Sequence, residues 1–503
     1  MRQCLAPSIR RVLAELPESL DETYERILHE IPKSNRVHAH RLLQCVTVAV
    51  RPLRVEELAE VLAVEFDTTA GTPKLNENLR WEDQEPAVLS ACSSLIAVVG
   101  DGDSRVVQFA HFSVKEFLTS DRLATSTVDA SRYHYVHLEL AHTIMAQACL
   151  SVLLHLSSHI DDEASIENFP LAEYAAAYFG DHAEFERVLS QILDGVDHLL
   201  DADKPHFAAW LRLRRRRLWV REELPEVPPL YYVVQFGFRG MVDYLISKRP
   251  EDQSARGKLG TPLHAALHRK HADVALLLLE NCVDVDVRGA GNSTPLHLAA
   301  DGGLVDVTRI LLERHADIEA RDSSGRTPLY RSTDGELGAS DDARFGPACL
   351  LLEHGADVDA RDNGHSTPLH EASYSGSVKI AQLLLEHGAN IDVRNTEGLT
   401  PLHRVLDRLE DHMSSYYFDT IQFLLAHGAD VDSFDDTHST PLHMASACGC
   451  VKGARLLLEH GASVHLQNND GLTALQVAST KGHKEIERLI SEHLESAEAS
   501  EKI

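Results

Sequence analysis

"LLEHGADVDARDNGHSTPLH", Leu351 to His370, carries histidines, three aspartates and a glutamate within twenty residues. Such a stretch is either a metal or acid–base site or one unit of a repeat. Its last four letters decide. "TPLH" or a close variant starts at Thr261, Thr294, Thr327 (TPLY), Thr367, Thr400, Thr440 and Thr473 (TALQ), at spacings of 33, 33, 40, 33, 40 and 33. One further step back reaches "PPLYYVVQFGF" at Pro228, a degenerate copy, so there are eight units. The 40-residue steps are 33 plus seven, and the extra residues fall around "DGELGASDDARFG" and "DRLEDHMSSYY". Within each unit, Thr is placed to cap a helix and Pro at its first position wastes no donor. Small residues then give a thin face for a neighbour, and glycines such as Gly303 and Gly449 end the helix. A second, leucine-rich helix stops at His-Gly, and "ADVDARDNGHS" predicts a short hairpin. No unit buries its own apolar face, so the units must stack.

This pattern resembles the ankyrin repeat, over Pro228 to about residue 494. The resemblance implies that His264, His297, His370, His403 and His443 each tie a loop to adjacent backbone. Five evenly spaced copies are not a catalytic residue. His264, His268 and His271 stand at i, i+4 and i+7, a spacing that suits zinc, but His264 already has its repeat role. "HEASY" at His370 misses the HExxH pattern at Tyr374.

The chain of 503 residues exceeds one core, and 44% hydrophobic with 25% charged residues is globular composition. Eight scattered cysteines without a CxxC pair predict buried thiols in a reducing compartment, cytoplasmic and possibly nuclear. No run reaches the roughly 18 apolar residues of a membrane helix, and the N-terminus lacks a signal-type apolar region. A net charge of −29 disfavours nucleic acid and anionic membranes as partners. "RLRRRRLWVR" runs against that balance: Arg212, Arg214, Arg215, Arg216 and Arg217 make either a nuclear-import run or a solvated helix face.

The N-terminal half changes pattern. "SLDETYERILHEI" opens with a capping box, Ser19 with Glu22. "RVHAHRLLQCVTVAV", "RPLRVEELAEVLAVEF" and "EPAVLSACSS" predict three more helices. "SLIAVVG" and "RVVQFAH" joined by "DGDS" predict a hairpin, and "FSVKEFLTS" another helix. Helices followed by a hairpin are the layout of a winged helix. With 14 Lys/Arg against 19 Asp/Glu in residues 1–125, protein packing suits it better than DNA.

"LPESLDETYERILHEIP", "RPLRVEELAEVLAVEF", "LSACSSLI" and "AHFSVKEFLTS" resemble the winged-helix segment of fungal NACHT–ankyrin proteins, of the STAND class of signalling ATPases. "YHYVHLELAHTIMAQACLSVLL" and "FPLAEYAAAYFGD" resemble that family's bridge into its ankyrin array, the latter as a degenerate ankyrin-like cap. The family carries a P-loop ahead of the winged helix. Here no GxxxxGK[ST] occurs; the nearest string, "DQSARGKLGTP", has Asp252 and Leu259 where the pattern needs Gly and Ser/Thr. ATP hydrolysis therefore does not carry over. No GxSxG elbow is present either.

The resulting expectation is a mainly α chain: a winged-helix-like domain at 1–125, a helical bridge at 126–227, an ankyrin-repeat solenoid at 228–494 and a disordered tail at 495–503. Its expected function is non-catalytic capture of a protein partner, with no catalytic residue, metal, cofactor or small-molecule substrate. The alternatives are the regulatory end of a STAND ATPase and a transcriptional co-regulator. Positions seven and eight past the Thr (His268, Arg269, Asp301, Tyr374, Asp407, Arg408) would line the partner face. Arg288, Arg321, Arg361 and Arg394, followed by Phe434, recur six before the Thr. They form either a rail for an acidic extended peptide or surface pairs with the adjacent Asp322 and Asp362. The carboxylates of "GADVD" and "ARD" are expected to be simply solvated.

Overall fold

The computed structural model describes residues 20–66, 72–80, 86, 88–89, 95–100, 105–125, 133–156, 168–201, 204–216, 227–281, 283–334, 341–407 and 415–501. It divides into two compact units, residues 1–229 with 238–245, and residues 230–237 with 246–503. The residues expected to form the bridge fall within the first unit.

In the first unit, helices Leu20–Glu30, Arg36–Val48 and Val55–Leu62 precede the hairpin of a three-stranded antiparallel sheet. Ile96–Val99 and Val106–Phe109 form its hairpin, with Ile96 opposite Phe109, and Leu53–Arg54 adds to the free edge of Val106–Phe109. This is a winged helix. Ser19, the "DGDS" turn and most of the segment expected as a fourth helix lie outside the described residues. The helix Val55–Leu62 is held by Glu57, which is fully buried. Its carboxylate accepts two hydrogen bonds from the Arg51 guanidinium, at 2.8 and 2.6 Å, and a third from the Arg54 backbone N–H at 2.7 Å. Glu60, also buried, accepts from Arg80 at 2.6 Å and from the Leu171 N–H at 2.7 Å.

Leu138–His155 is the central helix of this unit, packed by Arg36–Val48, Ala172–Ala183 and Val188–Leu199. Its 18 residues, of mean hydropathy 1.3, are long and apolar enough to cross a membrane by length and composition, which the sequence reading missed because His142, Thr143, Gln147 and Ser151 interrupt the apolar run. Both Cys149 and Met145 on it are fully buried, and its environment here is that of a core helix. Gly180 on Ala172–Ala183 shows how tight the packing is: a Cβ there would stand 1.9 Å from the Phe238 ring. Gly180→Ala is expected to lower stability by about 1–3 kcal/mol, an overpacking cost, measured by urea unfolding. An unchanged midpoint would overturn this packing account.

In the second unit, helix pairs repeat with the sequence period, from Pro262–His268 and Ala272–Glu280 to Ala474–Lys481 and Lys484–Glu501. Adjacent first helices pack on each other, as do adjacent second helices, which is the ankyrin stack. The second helices of the two longer repeats, Asp341–Glu353 and Ser415–Ala426, have 13 and 12 residues against nine in Val378–Glu386, so part of each insertion lengthens that helix. The final helix reaches Glu501, past the point where a disordered tail was expected. Glu and Ala in "ESAEASE" are good helix formers and outweighed its polar character.

Candidate functional site

Thr261, Thr294, Thr367 and Thr440 have extended backbone and cap their helices, and the His three residues on is buried beneath each. In the fifth repeat the Thr367 N–H donates to His370 Nδ1 at 3.0 Å, and Nε2 meets the Leu399 carbonyl, in the next repeat's loop, at 3.0 Å. The same contact runs from His264 to Ser293, His297 to Arg326, His403 to Ser439 and His443 to Leu472. A carbonyl only accepts, so Nε2 carries the proton and Nδ1 is the acceptor. Burial pushes His370 and His403 down to about 4. These residues are staples between repeats. His271 Nε2 is likewise spent on the Gln235 carbonyl at 3.1 Å, so the i, i+4, i+7 histidines do not gather.

The hairpin edge corrects two expectations. The "GADVD" carboxylates are not merely solvated: Asp359 accepts from the Asn390 N–H of the next repeat at 3.2 Å and Asp432 from Ser463 at 2.9 Å, and in the variant strings Asp286 accepts from Asp317 and Asp392 from Asp430, both at 2.9 Å. Stacking brings each carboxylate beneath a backbone donor that has no partner in its own hairpin. Nor do the ladder arginines pair with the adjacent Asp. Asp322 and Asp362 cap their own turns, accepting from Ser324 and Arg326, and from Gly364 and Ser366. Arg288 instead donates to the Arg321 carbonyl at 2.8 Å, and Arg321 to the Arg361 carbonyl, stitching successive hairpins. The Arg361 side chain is exposed. Arg394 meets Asp436 at 3.1 Å, and half-buried Phe434 lies 5.0 Å from the His438 ring.

Chemically richer is the end of the first helices in repeats four to six. The Arg404 guanidinium lies 4.2 Å over the Tyr374 ring and ion-pairs with Asp407 at 3.0 Å, so two expected face residues are joined by one the sequence reading did not single out. Tyr330, standing where other repeats have His, donates to Glu371 Oε2 at 3.2 Å. Burial first, and then Asp334, hold Glu371 above the usual carboxylate range. Arg326 and Arg331 both reach Asp334, at 2.8 and 3.9 Å, and Arg331 also holds buried Asp322 at 2.6 Å. Burial works against the Asp322 charge, but the Arg326 N–H and the Arg331 pair outweigh it, and its acidity is strengthened. The signal for this cluster was the TPLY variant itself.

Asp301, another expected face residue, sits 3.6 Å from Arg344 on the lengthened helix Asp341–Glu353. His268 and Arg269 are exposed at a helix end and join neither group, and Arg408 lies outside the described residues. In the arginine run, Arg214 donates to the Ala176 and Ala177 carbonyls at 3.0 and 2.8 Å and stacks over Phe238, so it serves the first unit's packing. Arg212 is exposed, Arg215 and Arg216 end the helix Pro205–Arg216, and Arg217 lies outside the described residues.

Comparison with known proteins agrees with this geometry. The family model for the winged helix domain of GPI inositol-deacylase matches residues 25–128. Ankyrin-repeat models match residues 260–290, 278–329 and, in overlapping sets of three copies, 324–501. A curated protein of Monascus ruber, azaphilone pigments biosynthesis cluster protein L, is 30% identical over 296 residues, covering 54% of this chain and 61% of that protein. The chain thus spans less than two thirds of that relative's length. Its printed name states no molecular activity, and the repeats themselves point to a protein-interaction role.

Proposed function

From a chain that is an ankyrin-repeat protein with a GPI inositol-deacylase-type winged helix at its front, we propose non-catalytic capture of a protein partner on the first-helix face of repeats four to six. The observation that carries this is the Arg404–Tyr374–Asp407 stack, an aromatic anchor with a guanidinium laid on it across two successive repeats. Tyr and Arg anchors of this kind carry a large share of binding energy at interfaces. Both residues sit on rigid helices, so little ordering cost accompanies binding.

The test is affinity capture from the cell of origin with a tagged chain and with Tyr374→Ala/Asp407→Ala. The double variant is expected to lose its partner by at least about tenfold, while its thermal unfolding stays near that of the parent. A partner set indifferent to the double variant would overturn this face. A second reading, which rests on the resemblance of the winged-helix segment to fungal NACHT–ankyrin proteins, makes the same face the sensing end of a STAND-type signalling ATPase. Capture of a nucleotide-binding subunit through the winged helix rather than the array would support it.

A further inference from the structure

Arg36, His40 and Gln44 are spaced i, i+4, i+8 on the helix Arg36–Val48 and so share one face. Arg36 Nε, His40 Nδ1 and Gln44 Nε2 are all buried without a hydrogen-bond partner, and so are both ring nitrogens of His134. His134 is fully buried and Gln44 is 1% exposed. The His134 ring stands 5.9 Å from that of His40 and 5.2 Å from that of Tyr133, which is itself 5.4 Å from His40. Tyr133 is 44% exposed, so the three-ring cluster has a buried floor and a lip at the surface. Buried amide, guanidinium and imidazole groups normally find partners, and leaving several together without one is costly. The Nε atoms of Arg80, Arg326 and Arg404 are also without a partner, but each of those guanidiniums pairs with a carboxylate through another nitrogen, at Glu60, Asp334 and Asp407.

The chemistry of the unmet demand is one-sided. Arg36 and Gln44 present only N–H donors at these atoms, and each imidazole brings a donor as well. The first turn of the helix contains no acidic residue, and its N-cap, Asn35, makes no side-chain cap hydrogen bond. The charges that act on His38, His40 and His134 come from Arg41, Arg36 and the histidines themselves, with no carboxylate among them. In a chain of net charge −29 this is a donor-rich spot, and Arg36 within it stands at the N-terminus of its helix. A planar carboxylate offers two oxygens in one plane. Donors arriving from the helix stripe on one side and from His134 on the other suit a tetrahedral group with three or more acceptor oxygens.

We propose that the Arg36–His40–His134 cluster of the winged helix is a binding site for a phosphate group. This goes beyond partner capture by the repeats and does not depend on it. A phosphate oxygen would accept from Arg36 Nε, and the phosphate charge would favour protonated His40 and His134, turning both ring nitrogens of each into donors.

The test is titration of the full chain with inorganic phosphate and pyrophosphate at pH 7 by calorimetry, with potassium chloride matched for ionic strength. One saturable site is expected. Arg36→Gln is expected to weaken it at least about tenfold, the loss of a charge-assisted contact. Arg36 is half-buried at a helix end, so circular dichroism should show the variant folded; His40→Asn, which keeps the helix face intact, is the second variant. Arg122→Gln, at an exposed ion pair elsewhere in the unit, is expected to bind as the parent does. A parallel arm uses vesicles of phosphatidylcholine with and without phosphatidylinositol 4-phosphate. Free phosphate competing with vesicle binding would assign the lipid headgroup as the source, and saturation by free phosphate without vesicle binding would assign a soluble phosphate. Absence of saturable binding in both arms, or binding that survives both Arg36→Gln and His40→Asn, would overturn the site.

Discussion

Between pH 6.5 and pH 4 the ankyrin array is expected to lose stability steeply, because its staple histidines stay neutral when folded and become charged when unfolded. The sign follows from linkage. His370 and His403 ionise near 6.5 in an unfolded chain and are pushed by burial down to about 4 in the folded one. Their contribution is therefore complete above pH 6.5 and is lost as pH falls toward 4, where both states carry the proton. A displacement of that size corresponds to about 3 kcal/mol for each residue. Protonation also turns Nδ1 into a donor facing the N–H of Thr367 or Thr400, which has no other acceptor there. The measurement is the urea midpoint of the full chain, by circular dichroism, from pH 7.5 to 4.5. Other buried histidines add to the total, so the decisive comparison is with His370→Gln/His403→Gln. Glutamine already occupies this slot in the last repeat, where Gln476 Oε1 accepts from the Thr473 N–H at 2.9 Å. The double variant should take up about two fewer protons on unfolding at pH 5. Equal acid sensitivity in variant and parent would refute the staple account.

Glu57→Ala is expected to be the most damaging single change in the winged helix, at about 3–5 kcal/mol. Removing this fully buried carboxylate strands the Arg51 guanidinium, leaves the Arg54 N–H uncapped and removes the Arg54 Nε contact at 3.2 Å. Arg51 is only 29% exposed and regains water incompletely. Glu57→Gln keeps one acceptor and should cost less than half as much. The contrast is Arg122→Ala, which removes an exposed pair with Asp21 at 2.8 Å and should change stability by less than about 1 kcal/mol. Differential scanning calorimetry of the three variants checks the order. Similar losses for Glu57→Ala and Arg122→Ala would mean that burial does not set the value of these ion pairs.

The period of 33, the Thr-Pro helix starts, the histidine slot and the stacked architecture were all legible in the sequence. Each repeat touches chiefly its neighbours, so the contacts that hold it are written at i+3 and about i+29, and the string repeats them. His370 with Thr367 and Leu399 is one such set. Hairpin chemistry was half legible. Asp322 was marked only as a surface partner for the adjacent arginine; its Arg331 partner comes from the folding of its own repeat, and the bond from Arg288 to the Arg321 carbonyl exists only once repeats are stacked in register. The anchor stack shows the same division, since Tyr374 and Asp407 were marked by position while Arg404, which joins them, was not.

The winged-helix unit left far less to periodicity. Its pattern of helices and hairpin follows from local apolar spacing. Its buried polar links, such as the Val50 N–H to the Tyr174 hydroxyl across 124 residues, or Glu60 to Leu171 across 111, have no repeat to announce them. The approach of His134 to Arg36 and His40 is of that kind. Sequence alone sets Arg36 and His40 on one helix face, because 3.6 residues make a turn. Only the packed structure decides that the buried His134 ring comes beside His40, because burial and long-range proximity are properties of the folded chain as a whole.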